Sequence, residues 1–393
     1  MNKRNVLGNK VITFSAFILV VFGSLMIASA EMGNSVGNTQ YLTEIIVKQI
    51  VYAVIGIIAY FICMNIKLYK FRIQIYYAAY GFIFLALLAC RAFGETNGAY
   101  AWIRFAGFTI QPSEFAKVFM VLFGAKLLGT DHKEKNIDSI KTFGICSFAY
   151  FLIIAFVQHD FGSGVVLFVI CYCIALVPPY KELKDIHKWM SIGILVAIVG
   201  IAILLSPPVT ELMKKHSGNY MIGRFLAAAD PFLYRYDNGY HVIMALVSFA
   251  NGNIFGLGYG NSIHKYMNFP NPSNDFILPV IVEELGIIGF AFFVIAYCCL
   301  LIPLIRASLK SRYTSSKMVF FGVFIYFVVH FILNVGGVSA IIPLTGVPLL
   351  LISSGGSSLM ASLAGLGCVQ CEIKRNKGTK NEDNSREIQE DAN

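Results

Sequence analysis

Three carboxylates, Asp275, Glu283 and Glu284, stand where a polar loop turns into an apolar run, in the stretch NPSNDFILPVIVEELG (271–286). Most of the surrounding chain is apolar, and in lipid an ionisable group is costly and kept for pairing or for function. Asp275 falls at the boundary. It could serve there as a general base or cation ligand. It could equally, with Asn274, be an N-cap that accepts from the free N–H groups of a helix starting at Phe276. Spacing leaves both open. Glu283 and Glu284 lie about 8 residues further in, roughly 12 Å deep at 1.5 Å per residue. Adjacent helical positions cannot both face lipid cheaply, so at least one must face the bundle interior, as a reacting group or as the partner of a buried Arg or Lys.

Other candidates are fewer. Glu114 and Lys117 have i, i+3 spacing, which puts them on one helix face within pairing distance and favours a structural ion pair; Pro112 before them suits a first helical turn. Asp160 follows His159 at another helix boundary, where His159 reads as a boundary residue rather than a metal ligand. Arg104, Lys214, Lys215, Arg224, Arg235 and Lys265 share a face with Asp275, and such a group of cations suits a phosphate-bearing ligand as well as lipid headgroups. The glycines 252, 256, 258 and 260 follow no βαβ unit, so they read as a tight turn with close backbone approach rather than a nucleotide loop. The sequence has no HExxH and no Walker-type Gly-Lys-Ser/Thr, so neither a zinc hydrolase nor an ATP-driven machine is expected. Cys368 and Cys371 form a CxxC with no second pair and no nearby His, and the nine cysteines read as small apolar residues.

The elements that must position these groups are apolar helices. The 393 residues are 57% hydrophobic and only 13% charged, with a mean hydropathy of +0.67, far from a soluble domain. Runs of the length needed to span a bilayer fall at 11–30, 44–64, 73–90, 113–129, 142–158, 161–178, 189–206, 276–305, 318–334 and 341–368. The first ends Ala28-Ser29-Ala30, the small-residue pattern of a signal-peptide cleavage site, but exceeds a usual h-region and reads as an uncleaved helix. Ten spans put 22 of the 31 Lys and Arg on the side of both termini and 7 opposite, with Lys48 and Lys117 inside helices. By the positive-inside rule both termini are cytoplasmic. The net charge of +9 is thus a matter of topology, and nucleic acid is not an expected partner. The expected fold is all-α and polytopic, with about ten transmembrane helices and a large extracellular loop, 207–275, between helices 7 and 8. Its middle, Val242 to Ala250, fits an amphipathic helix on or in the outer face. Residues 1–371 form one membrane domain, and the polar stretch 372–393 is expected to be a disordered cytoplasmic tail.

Five stretches resemble the RodA/FtsW/SpoVE (SEDS) family: GAYAWIRFAGFTIQPSEFAK (98–117), QHDFGSG (158–164), GYHVIMALVSFANGNIFGLGYGNS (239–262), NDFILPVIVEELGIIG (274–289) and NVGGVSAIIPLTGVPLLLISSGGSSL (334–359). Their order and the expected topology fit nearly the whole chain. Departures are Ala101 where the family has Arg before the loop Trp, leaving Arg104 as the nearest cation, and His159, His241, Leu350 and Ser354 at other motif positions. The resemblance implies a peptidoglycan glycosyltransferase, an inverting lipid II polymerase at the outer face of the cell membrane. It implies membrane lipids and a class B penicillin-binding protein as partners. Asp275 falls on the family's catalytic aspartate. Arg224, Lys214, Lys215, Lys265 and Arg104 would then face the substrate diphosphate, together with a divalent cation (Mg or Mn) if one is used. Glu114, Lys117, Asp160, Glu283 and Glu284 would support the site structurally. The alternatives are a lipid-linked precursor flippase, which intramembrane acids would suit, and a non-catalytic scaffold for a transpeptidase.

Overall fold

The computed structural model describes residues 3–35, 39–96, 98–105, 107–129, 136–204, 206, 209, 220–234, 236, 238–267, 269 and 271–390. In lipid a spanning segment must satisfy its own backbone N–H and C=O groups, and the apolar runs accordingly form helices. These are α1 (Lys3–Glu31), α2 (Thr39–Asn65), α3 (Ile73–Ala89), α4 (Pro112–Leu128), α5 (Asn136–Leu152), α6 (Phe161–Ala175) and α7 (Lys184–Leu204). The long loop contributes α8 (Tyr220–Ala229) and α9 (Asn238–Gly252), the latter containing the helix expected at Val242–Ala250. The chain closes with α10 (Ile277–Lys310), α11 (Thr314–Val338) and α12 (Gly356–Glu390). Six described helices are long and apolar enough to cross a membrane, and α6 is apolar but shorter. The architecture is that of a polytopic helical membrane protein. Its one described sheet is a small hairpin in the 91–112 loop, β1 (Ile103–Phe105) against β2 (Phe108–Ile110), with Arg104 opposite Thr109.

α4 is the axis of the bundle. Residues on all its sides are buried, including Ser113, Glu114 and Lys117, and it packs against α6, α11 and α12. A helix enclosed by protein can carry a charged pair that a lipid-facing helix could not. Pro112 occupies its first turn, where the missing N–H costs nothing.

The span expected at 341–368 is corrected at its start. Residues 341–355 contain no helix, and α12 begins only at Gly356. Pro343 and Pro348 cannot donate to a helical ladder, and Leu351 and Gly346 adopt positive φ, 67° and 68°. This irregular segment can lie at membrane depth because protein covers it: Leu349, Leu350 and Ile352 are fully buried. α12 runs on past Glu372 as helix through the stretch whose composition suggests disorder, and Arg375 there bonds Glu372 and Ser315.

Candidate active site

Asp275 sits two residues before α10, in a turn held from three sides. Ser273 Oγ donates to Glu31 at the end of α1. The Ser354 amide donates to the Ser273 carbonyl at 2.7 Å. Asn334 on α11 donates through Nδ2 to both the Asp275 and Val347 carbonyls, each at 2.9 Å. The side chain is only 8% exposed, yet Oδ1 receives no hydrogen bond among the described residues. The boundary residue of α10 is Phe276, and among the described residues no side-chain cap bond is made there, so Asp275 does not take the N-cap position. Burial pushes the Asp275 carboxyl up to about 6, against the smaller opposing pull of its own backbone N–H and of Arg224.

The carboxylate lines a cavity of about 1160 Å³ bounded by α2, the β1–β2 loop, the starts of α4, α6 and α12, and the 344–348 segment. Glu114, Asp160 and Arg224 share its wall with Asp275. Gly346 lies in this wall at positive φ, and a Cβ there would sit in ordinary contact with Asp275 Oδ2, at 3.7 Å. Asp160 caps α6, accepting from the Ser163 amide at 3.0 Å, and its other oxygen takes Gln111 Nε2 at 2.9 Å. Glu114 pairs with Lys117 at 2.7 Å, as the spacing foretold. Lys117 Nζ also reaches His330 Nε2 at 3.4 Å, and Tyr326 Oη donates to Glu114 at 3.2 Å. These contacts fix α4 to α11 beneath the cavity.

Glu283 and Glu284 are both fully buried and both richly partnered. Glu283 takes His264 Nδ1 at 2.6 Å, Asn251 Nδ2 at 3.1 Å and the Ser262 hydroxyl. Glu284 takes Lys265 Nζ at 2.7 Å and Ser29 Oγ at 2.6 Å. They tie α1, α9 and the 262–265 turn to α10, behind Asp275 rather than in the cavity. The alternative of a structural pair with a buried cation holds, and Lys265 is that cation.

The expected phosphate-facing cations therefore divide. Arg224 lines the cavity, anchored by Nη1 to the Leu344 carbonyl at 3.1 Å. Lys265 does not: it is 1% exposed and committed to Glu284 and Ser29, because a buried ammonium needs its carboxylate. Arg104 points from the exposed hairpin to Thr96 and does not line the cavity. Lys214, Lys215 and Arg235 lie outside the described residues. Lys48, which topology had placed merely inside a helix, lines the cavity and pairs with Glu44 at 2.5 Å. The sequence also hid Glu31 and Asn334; the lone amide of Asn334 in an apolar helix was the available signal. Among the described residues no three His, Cys, Asp or Glu side chains converge. The described part of the cavity wall thus offers no all-protein cage for the Mg or Mn that the resemblance admits.

The family model for FtsW, RodA and SpoVE, described as "Cell cycle protein", matches residues 9–378. The chain is 31% identical over 365 residues to the probable peptidoglycan glycosyltransferase FtsW of Bacillus subtilis, covering 90% of this chain and 87% of that one. It is 31% identical over 327 residues to stage V sporulation protein E of the same organism, covering 81% and 84%. Its fold is similar to a chain of a peptidoglycan synthase complex that coordinates polymerization and crosslinking, with TM-score 0.68, 23% identity and coverage of 93% and 97%. It is also similar to the rod shape determining protein RodA of Thermus thermophilus, with TM-score 0.59, 21% identity and coverage of 93% and 96%.

Proposed function

Because this chain belongs to the FtsW/RodA/SpoVE family, we propose that it is a peptidoglycan glycosyltransferase that polymerises lipid II at the outer face of the cell membrane, with Asp275 as general base. The observation that carries the assignment of the base is a buried carboxylate, on a backbone pinned from three elements, with one oxygen unclaimed and the group open to the cavity.

The acceptor 4-hydroxyl attacks the anomeric carbon of the lipid-linked sugar. A carbon–oxygen bond forms as the bond from that carbon to the diphosphate oxygen breaks, with inversion. The hydroxyl proton passes to Asp275, and the diphosphate leaves with both electrons of the broken bond. A carboxyl raised to about 6 remains ionised at neutral pH and is a stronger base than a free Asp. The departing charge needs cations, and Arg224 and Lys48 are the described ones in the cavity wall. The diphosphate supplies the driving force, so no nucleotide enters. A Mg or Mn ion brought in on the diphosphate is compatible with this scheme but takes no part in its steps. Asp160, Glu114–Lys117 and Glu283/Glu284 support the walls.

Residues 1–371 act as one catalytic unit with both termini cytoplasmic, and a class B penicillin-binding protein cross-links the product. The test is purified protein in detergent with lipid II and no other enzyme. Glycan strands support the polymerase. Headgroup crossing in liposomes without polymer would assign the chain to the flippases. Neither, with partner binding kept, would leave a scaffold.

A further inference from the structure

The chain between α9 and Asp275 passes as a loop in the sequence, yet its contacts run along two spanning helices. His241 near the start of α9 meets the ring of Phe276, at the mouth of α10. Eleven residues later Gly252 is pressed on the Val282 carbonyl, where a Cβ would collide. The next residues go deeper. Leu257 and Gly258 donate to the Glu283 and Glu284 carbonyls at 2.9 Å, and Ile287 and Ile288 donate back to Asn253 and Ile254 at 3.0 and 3.3 Å. The chain then climbs along α1: Tyr259 Oη bonds the Leu25 carbonyl at 2.8 Å, Lys265 meets Ser29, and Gly33 lies against the Lys265 carbonyl.

α10 makes this possible by breaking. Gly286 has φ 64°, ψ −162°, which ends the helical ladder there and frees the carbonyls of the preceding turn. The descending chain takes them, so neither segment leaves its polar backbone bare, the condition for irregular backbone at membrane depth. Gly256 and Gly286 are required by contact: a Cβ on either would strike the other strand. Counted at 1.5 Å per residue from Ile277 to the break, Leu285 already lies about 12 Å along α10, deep within one leaflet of a ~30 Å hydrocarbon core. At that level the tip turns apolar groups outward, with Ile254 57% and Phe255 78% exposed. They continue the exposed faces of α1 and α10 at Leu25, Ile287 and Ile288.

We infer that residues 238–267 form a re-entrant hairpin in the leaflet on the Asp275 side, with its tip at Ile254 and Phe255 packed against phospholipid acyl chains. Calling that leaflet the outer one rests on the orientation proposed above; the insertion itself does not. On this reading Glu283 and Glu284 are the posts that hold an inserted element.

The experiment places a fluorophore at the tip, Phe255→Trp, in a chain carrying Trp102→Phe and Trp189→Phe, reconstituted in phosphatidylcholine nanodiscs. Lipid brominated at mid-chain should remove most of the tip emission, and aqueous iodide should leave it unchanged. Quenching by iodide instead would mean a water-exposed loop and overturn the inference. Protection from both quenchers would mean that protein covers the tip, a second copy included, and would also overturn it. Ile254→Trp is the second probe. Either variant in the chain that keeps Trp102 and Trp189 reads out as a difference spectrum if the triple variant fails to fold. Because no substrate is involved, failure here is distinct from failure to polymerise lipid II.

Discussion

Asp275 and the pair Glu283/Glu284 sit within three turns of one another and are buried alike, but their partners differ. Each Glu is surrounded by donors, and Glu284 has a buried ammonium of its own at 2.7 Å. Asp275 has an oxygen with no donor among the described residues, an Arg near enough only to temper it, and a cavity in front. Burial alone therefore does not distinguish a reacting carboxylate from a structural one; satisfaction does. A carboxylate whose lone pairs are taken spends its charge on holding helices together. One left short of donors stores desolvation cost as basicity.

Glu284→Ala leaves Lys265 buried and unpaired, and a broken buried pair costs about 3–5 kcal/mol. The variant should lose most of its folded yield, and its thermal midpoint in detergent should drop sharply. The double change Glu284→Leu with Lys265→Met should recover most of that loss; no recovery would mean the pair does more than hold the fold.

Asp275→Asn should do the opposite. A carboxyl raised from 3.8 to about 6 by folding destabilises the folded state where it is ionised. That penalty is fully present above pH 6 and vanishes below about 4, as the proton returns in both states. Removing the charge should therefore raise stability at pH 7.5 by on the order of 2–3 kcal/mol and change it little at pH 4. Unfolding midpoints of both proteins at the two pH values check this, and a destabilised Asn variant at pH 7.5 would count against a strained, unsatisfied carboxylate.

Smaller still is the pH dependence of turnover. kcat/KM should fall on the acid side with an apparent pKa near 6 as Asp275 is protonated. Arg224 favours the ionised form, so Arg224→Ala should move that limb to higher pH besides slowing the reaction. An unmoved limb would place Arg224 too far away to matter.

Much of this was legible in the sequence. The helices from α1 to α7, and α10 and α11, follow apolar runs, because lipid leaves an apolar segment little choice but helix. The Glu114–Lys117 pair follows from spacing, and the glycine turn from its lack of a strand. What stayed hidden depends on tertiary approach. Lys265 looked like any other outer cation until the 262–265 turn carried it onto Glu284. Lys48 looked like a helix residue until the cavity opened beside α2. Asn334 stands out only as the lone amide of an apolar run, and the two carbonyls it bridges come together only in the fold. The start of α12 was misplaced because apolar content outweighed Pro343 and Pro348, whose missing donors end a helix wherever protein can shelter the irregular chain.

If Asp275 takes the acceptor proton, lipid II polymerisation by purified Asp275→Asn protein, beside the parent at matched folded concentration, should reveal it. The Asn side chain keeps the shape and removes the base, and loss of a general base lowers rates by about 10²–10⁴. The expected result is glycan synthesis reduced by that factor in a protein at least as stable as the parent. Polymer formed at the parent rate would contradict it and leave Asp275 as one more buried support.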